Sequence, residues 1–176
     1  MEQDFGKMRE PFGVLADSRE TAARVVELLV RRKQTVSLAE SCTGGMTAAA
    51  LVSVPGASQV FENSFVTYSD RAKNRILGVD WEVLQKYTAV SAQTAAWMAR
   101  GCREAGEADL ALSVTGLAGP GGGTARRPVG LVYIGCSYGE RTVVQEYHFQ
   151  GGREEVRSQA AAAALMLGLG CLRTDE

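Results

Sequence analysis

A serine, a cysteine, a threonine and two glycines fall together in Leu38-Ala39-Glu40-Ser41-Cys42-Thr43-Gly44-Gly45. A short β-type run at 34–38 precedes them and a helix-forming run at 46–54 follows. Such a strand-to-helix turn presents hydroxyls and free backbone N–H groups at a helix N-terminus. It suits a negative charge, whether a bound phosphate or a developing oxyanion, and it can also hold a nucleophilic hydroxyl. Serine, threonine and glycine are equally common as plain helix caps.

Two more segments carry reactive or ligand-binding types. Tyr68-Ser69-Asp70-Arg71-Ala72-Lys73 follows a predicted strand, where a lysine is either a solvated charge or a base. The loop at 116–123 follows another, and its glycines permit close backbone approach to a ligand or simply a flexible connection. It matches neither a dinucleotide fingerprint nor a Walker A loop. Ligands of open α/β sheets bind beyond the carboxyl ends of the strands, so the three segments are expected to converge. A hydroxyl beside a lysine, without histidine, is the set a serine–lysine hydrolase needs. Keeping that amine neutral near pH 7 costs roughly 4 kcal/mol, which burial or nearby cations can supply. Cys42 is an alternative nucleophile, since a helix N-terminus lowers a thiol's pKa. A Ser-His-Asp triad would have to use His148, which sits in a strand pattern.

The elements around these segments alternate. Asp17 with Glu20 resembles a capping box, and Ala22, Val25, Val26, Leu29 and Val30 repeat at helical spacing. Strands are expected at 35–39, 61–68, 109–114, 129–138 and 142–149, the last two as a hairpin around Gly139-Glu140. Helices are expected at 71–77, ended by Gly78, at 81–87, at 92–105 behind Ser91, and from about Gly152 onward. This order predicts a single three-layer α/β/α domain at 17–176 with a mixed, mostly parallel sheet, preceded by an extension at 1–16.

Composition narrows the function. The 176 residues carry a net charge of -1, which argues against an extensive nucleic-acid surface. Four separated cysteines and one histidine offer no zinc cluster, and buried free thiols fit a reducing cytoplasm. No membrane span or signal peptide is expected.

Several ordered motifs carry a family resemblance: Ala39-Glu40-Ser41-Cys42-Thr43-Gly44-Gly45, Val54-Pro55-Gly56-Ala57-Ser58, Tyr68-Ser69 with Ala72-Lys73, Leu77-Gly78-Val79, Ala89-Val90-Ser91, the run 114–123, and Pro128-Val129-Gly130. Together they resemble the CinA carboxy-terminal domain family, which includes bacterial nicotinamide-nucleotide amidases, over roughly residues 20–172. The resemblance implies metal-free and cofactor-free hydrolysis of nicotinamide mononucleotide to nicotinate mononucleotide and ammonia, in pyridine nucleotide salvage. It implies Ser41 as nucleophile with Lys73 and Tyr68 activating it. Cys42, Thr43, Gly44, Gly45, Thr115, Gly116, Gly119 and Arg157 are the expected substrate contacts, and a homo-oligomer is expected. Larger members carry a further N-terminal domain, so this chain resembles the stand-alone form. Tyr87-Thr88 stands where the family commonly has His-Gly, and Asp70-Arg71 where it often has Asn-Glu. The alternative of another class is a non-catalytic nucleotide-binding module linked to competence or DNA damage.

If hydrolysis needs no metal, ammonia release from nicotinamide mononucleotide is expected to survive exhaustive chelation. Loss on chelation, with recovery on adding one divalent metal, would refute the serine–lysine reading.

Overall fold

The computed structural model describes residues 18–173. The extension at 1–16 and the Asp17 cap lie outside the described residues. Helix α1 (Ser18–Arg32) buries Ala22, Val25, Val26 and Leu29, the apolar stripe of its sequence. Strand β1 (Val36–Glu40) is buried throughout and leads into α2 (Met46–Val52). A short 3-10 turn at Ala57–Gln59 precedes β2 (Phe61–Val66). Then come α3 (Asp70–Leu77), α4 (Trp81–Tyr87) and α5 (Ala92–Ala105). Strand β3 (Leu110–Gly116), the hairpin of β4 (Leu131–Tyr138) and β5 (Arg141–His148), and α6 (Arg153–Arg173) complete the chain.

The sheet order is β2-β1-β3-β4-β5. Strands β2, β1 and β3 are parallel, whereas β4 pairs antiparallel with both β3 and β5. Four of the five strands therefore run one way, and the sheet is mixed and mostly parallel as expected. One layer holds α1, α2 and α6, which pack on one another; the other holds α3, α4 and α5.

Strand alternation assigns each side chain to a layer. Val36 and Leu38 of β1, with Leu110, Leu112 and Val114 of β3, join the core under α1 and α6. Ala39 and Ala111 face the other way, into the cluster with Met98 and Cys102 of α5. Ser113 and Thr115 share that second phase. The strand expected at 35–39 is observed one residue later, at Val36–Glu40. Glu40 is thus the last residue of the ladder, paired with Val66 on one side and Val114 on the other.

The α3–α5 packing depends on one glycine. A Cβ on Gly101 would lie 1.8 Å from the Leu77 carbonyl oxygen. Gly101→Ala is expected to cost about 3 kcal/mol in urea unfolding, because backbone must move. Gly121, whose Cβ would meet nothing within 4 Å, is the control. Gly121→Ala is expected to stay within about 0.5 kcal/mol of the parent.

Candidate active site

The site begins where β1 ends. Ser41 continues the phase of Ser37 and Ala39, toward the layer of α3. Its N–H donates to the Val114 carbonyl at 3.0 Å, which continues the β1–β3 ladder for one more residue. Helix α3 starts on Ser69, whose side chain accepts from Ala72 N–H, and stops at Gly78 in the left-handed region at φ 62°. One turn into this helix, Lys73 points inward. It is 1% exposed, and Ser41 is 8% exposed.

Lys73 Nζ lies 3.2 Å from Ser41 Oγ and donates to the Thr67 carbonyl at 2.9 Å. Among the described residues no carboxylate pairs with it. Burial therefore pushes the ammonium below its ordinary value of 10.5, opposed by the charges of Asp70 and of Cys42. A neutral amine can give one N–H to Thr67 and turn its lone pair toward the serine hydroxyl. The contact expected from the strand-end argument is therefore present as a distance.

Cys42 behaves differently from its expectation. Its thiol is pushed up to about 11, with burial as the largest cause. The lowered pKa expected of a cysteine at a helix N-terminus is not found, since the apolar surroundings outweigh the nearby dipole.

The N–H groups of the turn are mostly spent internally. Gly45, Thr47 and Ala48 donate to the Glu40 carboxylate at 3.0, 3.1 and 2.9 Å. Gly44 donates to the Ser41 carbonyl and Met46 to that of Thr43. The N–H groups of Cys42 and Thr43 remain without an oxygen acceptor among the described residues. The start of α2, read from the sequence as a place for a substrate anion, is thus filled by the protein's own acid. Glu40 was in the sequence motif but carried no assigned role. The signal that could have found it is an acid at the last ladder position, directly before a turn with two glycines.

Arg157, on α6, also serves the turn. Its Nε donates to the Cys42 carbonyl at 3.0 Å, one terminal nitrogen to that of Thr43 at 3.0 Å, and the other to Glu154 at 2.7 Å. One helical turn earlier, Arg153 donates to the Gly119 carbonyl at 2.7 Å and to the Tyr68 hydroxyl at 3.2 Å. Its acceptors are both neutral. Tyr68 is 63% exposed, and its hydroxyl is held by this arginine. Thr115, buried on the same phase as Ser113, donates to the Ala89 carbonyl at 2.7 Å. Gly116 lets β4 approach, since a Cβ there would lie 2.7 Å from the Leu131 oxygen. Gly119 sits at φ 81°. The geometry thus gathers Ser41, Lys73 and the turn directly, and ties Tyr68 to the glycine loop through Arg153.

The carboxy-terminal domain model of CinA matches residues 18–172. The chain belongs to the CinA C-terminal domain family. A CinA-like protein of Endomicrobium trichonymphae is 43% identical over 174 residues, covering 95% of this chain and 41% of that protein. Another, of Pseudothermotoga lettingae, is 46% identical over 149 residues, covering 84% of this chain and 36% of that protein. The chain thus spans well under half the length of these curated relatives. Among solved structures, the competence/damage inducible protein CihA from Agrobacterium tumefaciens is 41% identical, with a TM-score of 0.86 and coverage of 90% of this chain and 96% of that one. The competence damage-inducible protein A from Klebsiella pneumoniae is 33% identical, with a TM-score of 0.88 and coverage of 92% and 100%. The α/β/α layers described above are therefore a CinA-superfamily fold. Among the described residues no helix is long and apolar enough to cross a membrane, and no group of three or more metal-ligating side chains gathers.

The buried Lys73 makes stability depend on pH with a definite sign. Its folded-state pKa lies below 10.5, so at intermediate pH the unfolded chain binds more protons. Stability from this group is greatest above 10.5 and is lost as pH falls through the lowered folded value. Lys73→Met removes the titration. The difference in unfolding free energy between parent and variant is expected to move in the variant's favour as pH falls from 10.5. A pH-independent difference would show that Lys73 is not destabilised as an ammonium.

Proposed function

We propose that this CinA-family domain is an amidohydrolase that converts nicotinamide mononucleotide to nicotinate mononucleotide and ammonia. The observation that carries the reading is the buried contact of Ser41 Oγ with a lysine amine that has no carboxylate partner among the described residues. Ser41 Oγ attacks the carboxamide carbon while its proton passes to neutral Lys73. The tetrahedral oxyanion is received by the N–H groups of Cys42 and Thr43. Lys73 returns the proton to the leaving nitrogen, ammonia departs, and water hydrolyses the ester on Ser41 by the same relay. No metal or organic cofactor takes part. The enzyme would act in cytoplasmic pyridine nucleotide salvage, as a homo-oligomer.

Substrate anchoring follows from what the side chains already hold. Arg157 is committed to the turn carbonyls, so its role here is to hold Cys42 and Thr43 in place. Among the described residues Arg153 has only neutral acceptors, and it stands one helical turn, roughly 6 Å, from Arg157. It is the better cation for the 5′-phosphate. Gly119 and Tyr68 would then line the ribose end, and Thr115 would support the pyridine end from β3.

Ser41→Ala is expected to abolish ammonia release with the fold intact, while Cys42→Ala keeps substantial activity; the reverse pattern would overturn the serine assignment. Tight binding of the nucleotide without ammonia release would instead favour the nucleotide-binding module. The riboside is expected to be a much poorer substrate than the mononucleotide. Arg153→Ala is expected to cost about 1.5–3 kcal/mol of kcat/KM on the mononucleotide and little on the riboside. Arg157→Ala is expected to depress both alike. Equal efficiency on the two substrates would show that no phosphate site operates.

A further inference from the structure

Glu40 is the immediate neighbour of Ser41, and every part of it holds the site. Its carboxylate is 1% exposed and accepts from three backbone N–H groups of the turn and first turn of α2. The Ser64 hydroxyl of β2 approaches the same carboxylate at 3.4 Å. Its backbone carbonyl accepts from Thr67 N–H at 2.9 Å. Thr67 is the residue whose own carbonyl holds Lys73 Nζ. Between Glu40 and its helix donors Thr47 and Ala48 the chain turns through Gly44 at φ 60° and Gly45, itself the first donor, at φ 103°. That loop closes because one carboxylate gathers its far end back to β1.

From this network we propose that Glu40 is a positioning residue for Ser41, resting on the reading of Ser41 as nucleophile. Its carboxylate fixes the turn so that the serine hydroxyl meets Lys73, and it touches no reacting atom. A structural cap alone would stabilise α2 without governing the serine. Two features point past that role. Glu40 is covalently next to the nucleophile, so the turn that its carboxylate gathers is the same short stretch of backbone that carries Ser41. Its carbonyl and carboxylate also connect the two segments that supply Ser41 and Lys73. The charge matters because a carboxylate presents acceptors only. A glutamine of equal size must turn an NH2 group toward one or more of the three donors.

The test compares the parent with Glu40→Gln and Glu40→Asp. Ser41 reactivity is read by the rate of labelling with a fluorophosphonate, independently of any amide substrate. Ammonia release supplies kcat and KM. The Glu40→Gln protein is expected to label about a hundredfold more slowly and to lose kcat in parallel, as a small misplacement of a reacting group would produce. KM is expected to change less than about threefold, by the same reasoning that ground-state contacts survive. The pH midpoint of labelling, which reports Lys73, is expected to stay put. Glu40→Asp keeps the acceptor-only charge on a shorter arm and is expected to recover part of the labelling rate. If Glu40→Gln does not fold, Glu40→Asp decides by the same measurements, with partial loss of labelling expected. Parental labelling and kcat in a folded variant with a lowered Tm would overturn the proposal and leave Glu40 a helix cap. Lost kcat with parental labelling would also overturn it, by placing the defect in substrate handling. If the parent labels at Ser41 but releases no ammonia, the amidase reading fails alone and the labelling rates still decide the role of Glu40.

Discussion

A lysine amine enclosed by protein, with no carboxylate to neutralise it, is costly to keep charged. Among the described residues Lys73 is such a group, and much of the fold around it keeps it in place. Its stem is held by α3, which is capped at both ends. Its tip is held by a carbonyl of the segment leaving β2 and faces a hydroxyl at the end of β1. A carboxylate partner would have restored the charge and taken away the lone pair. Neutral oxygens on either side leave the amine able to exchange a proton with the serine.

A second buried ionisable group, Glu40, meets the opposite treatment. Three backbone N–H groups donate to its carboxylate, and among the described residues no cation pairs with it. The two groups lie on opposite faces of β1, one phase apart, so the sheet backbone separates the satisfied charge from the unsatisfied one. Arg157 adds a third constraint by bonding the carbonyls of Cys42 and Thr43 from α6. The turn that carries Ser41 is thus gripped through its N–H groups on one side and its carbonyls on the other. Little conformational freedom remains to be lost when a ligand arrives.

The layered architecture was legible because its signals are periodic. The buried run at β3, the small-residue stripe of α5 and the Ser91 and Gly78 boundaries each have a local physical cause. The meeting of Ser41 with Lys73 was legible one level up, from the rule that strand carboxyl ends share one edge. What escaped was the division of labour among neighbours. Sequence marks Glu40 and Arg153 only as charges and gives Arg157 as a substrate contact only through the family resemblance, and whether a charge holds its own backbone or waits for a ligand depends on distances between distant segments. Cys42 shows the same gap: the helix N-terminus was visible in the sequence, but the burial that outweighs it was not. Tyr68 was expected, from the family resemblance, to activate Ser41 together with Lys73; that its hydroxyl accepts from an arginine 85 residues further along the chain had no signal in the sequence.

The strand order β2-β1-β3 has a consequence for when the protein becomes reactive. Ser41 leaves a strand whose two neighbours arrive later in the chain, at Phe61–Val66 and Leu110–Gly116. Parallel pairing of this kind requires long crossovers and forms slowly. A nascent or partly collapsed chain therefore carries an ordinary serine and a hydrated, protonated lysine. On the proposed reading of Ser41 as nucleophile, its reactivity emerges only once the central strand is flanked on both sides. The proposed chemistry would then be latent through synthesis, and a misassembled copy inert rather than promiscuous.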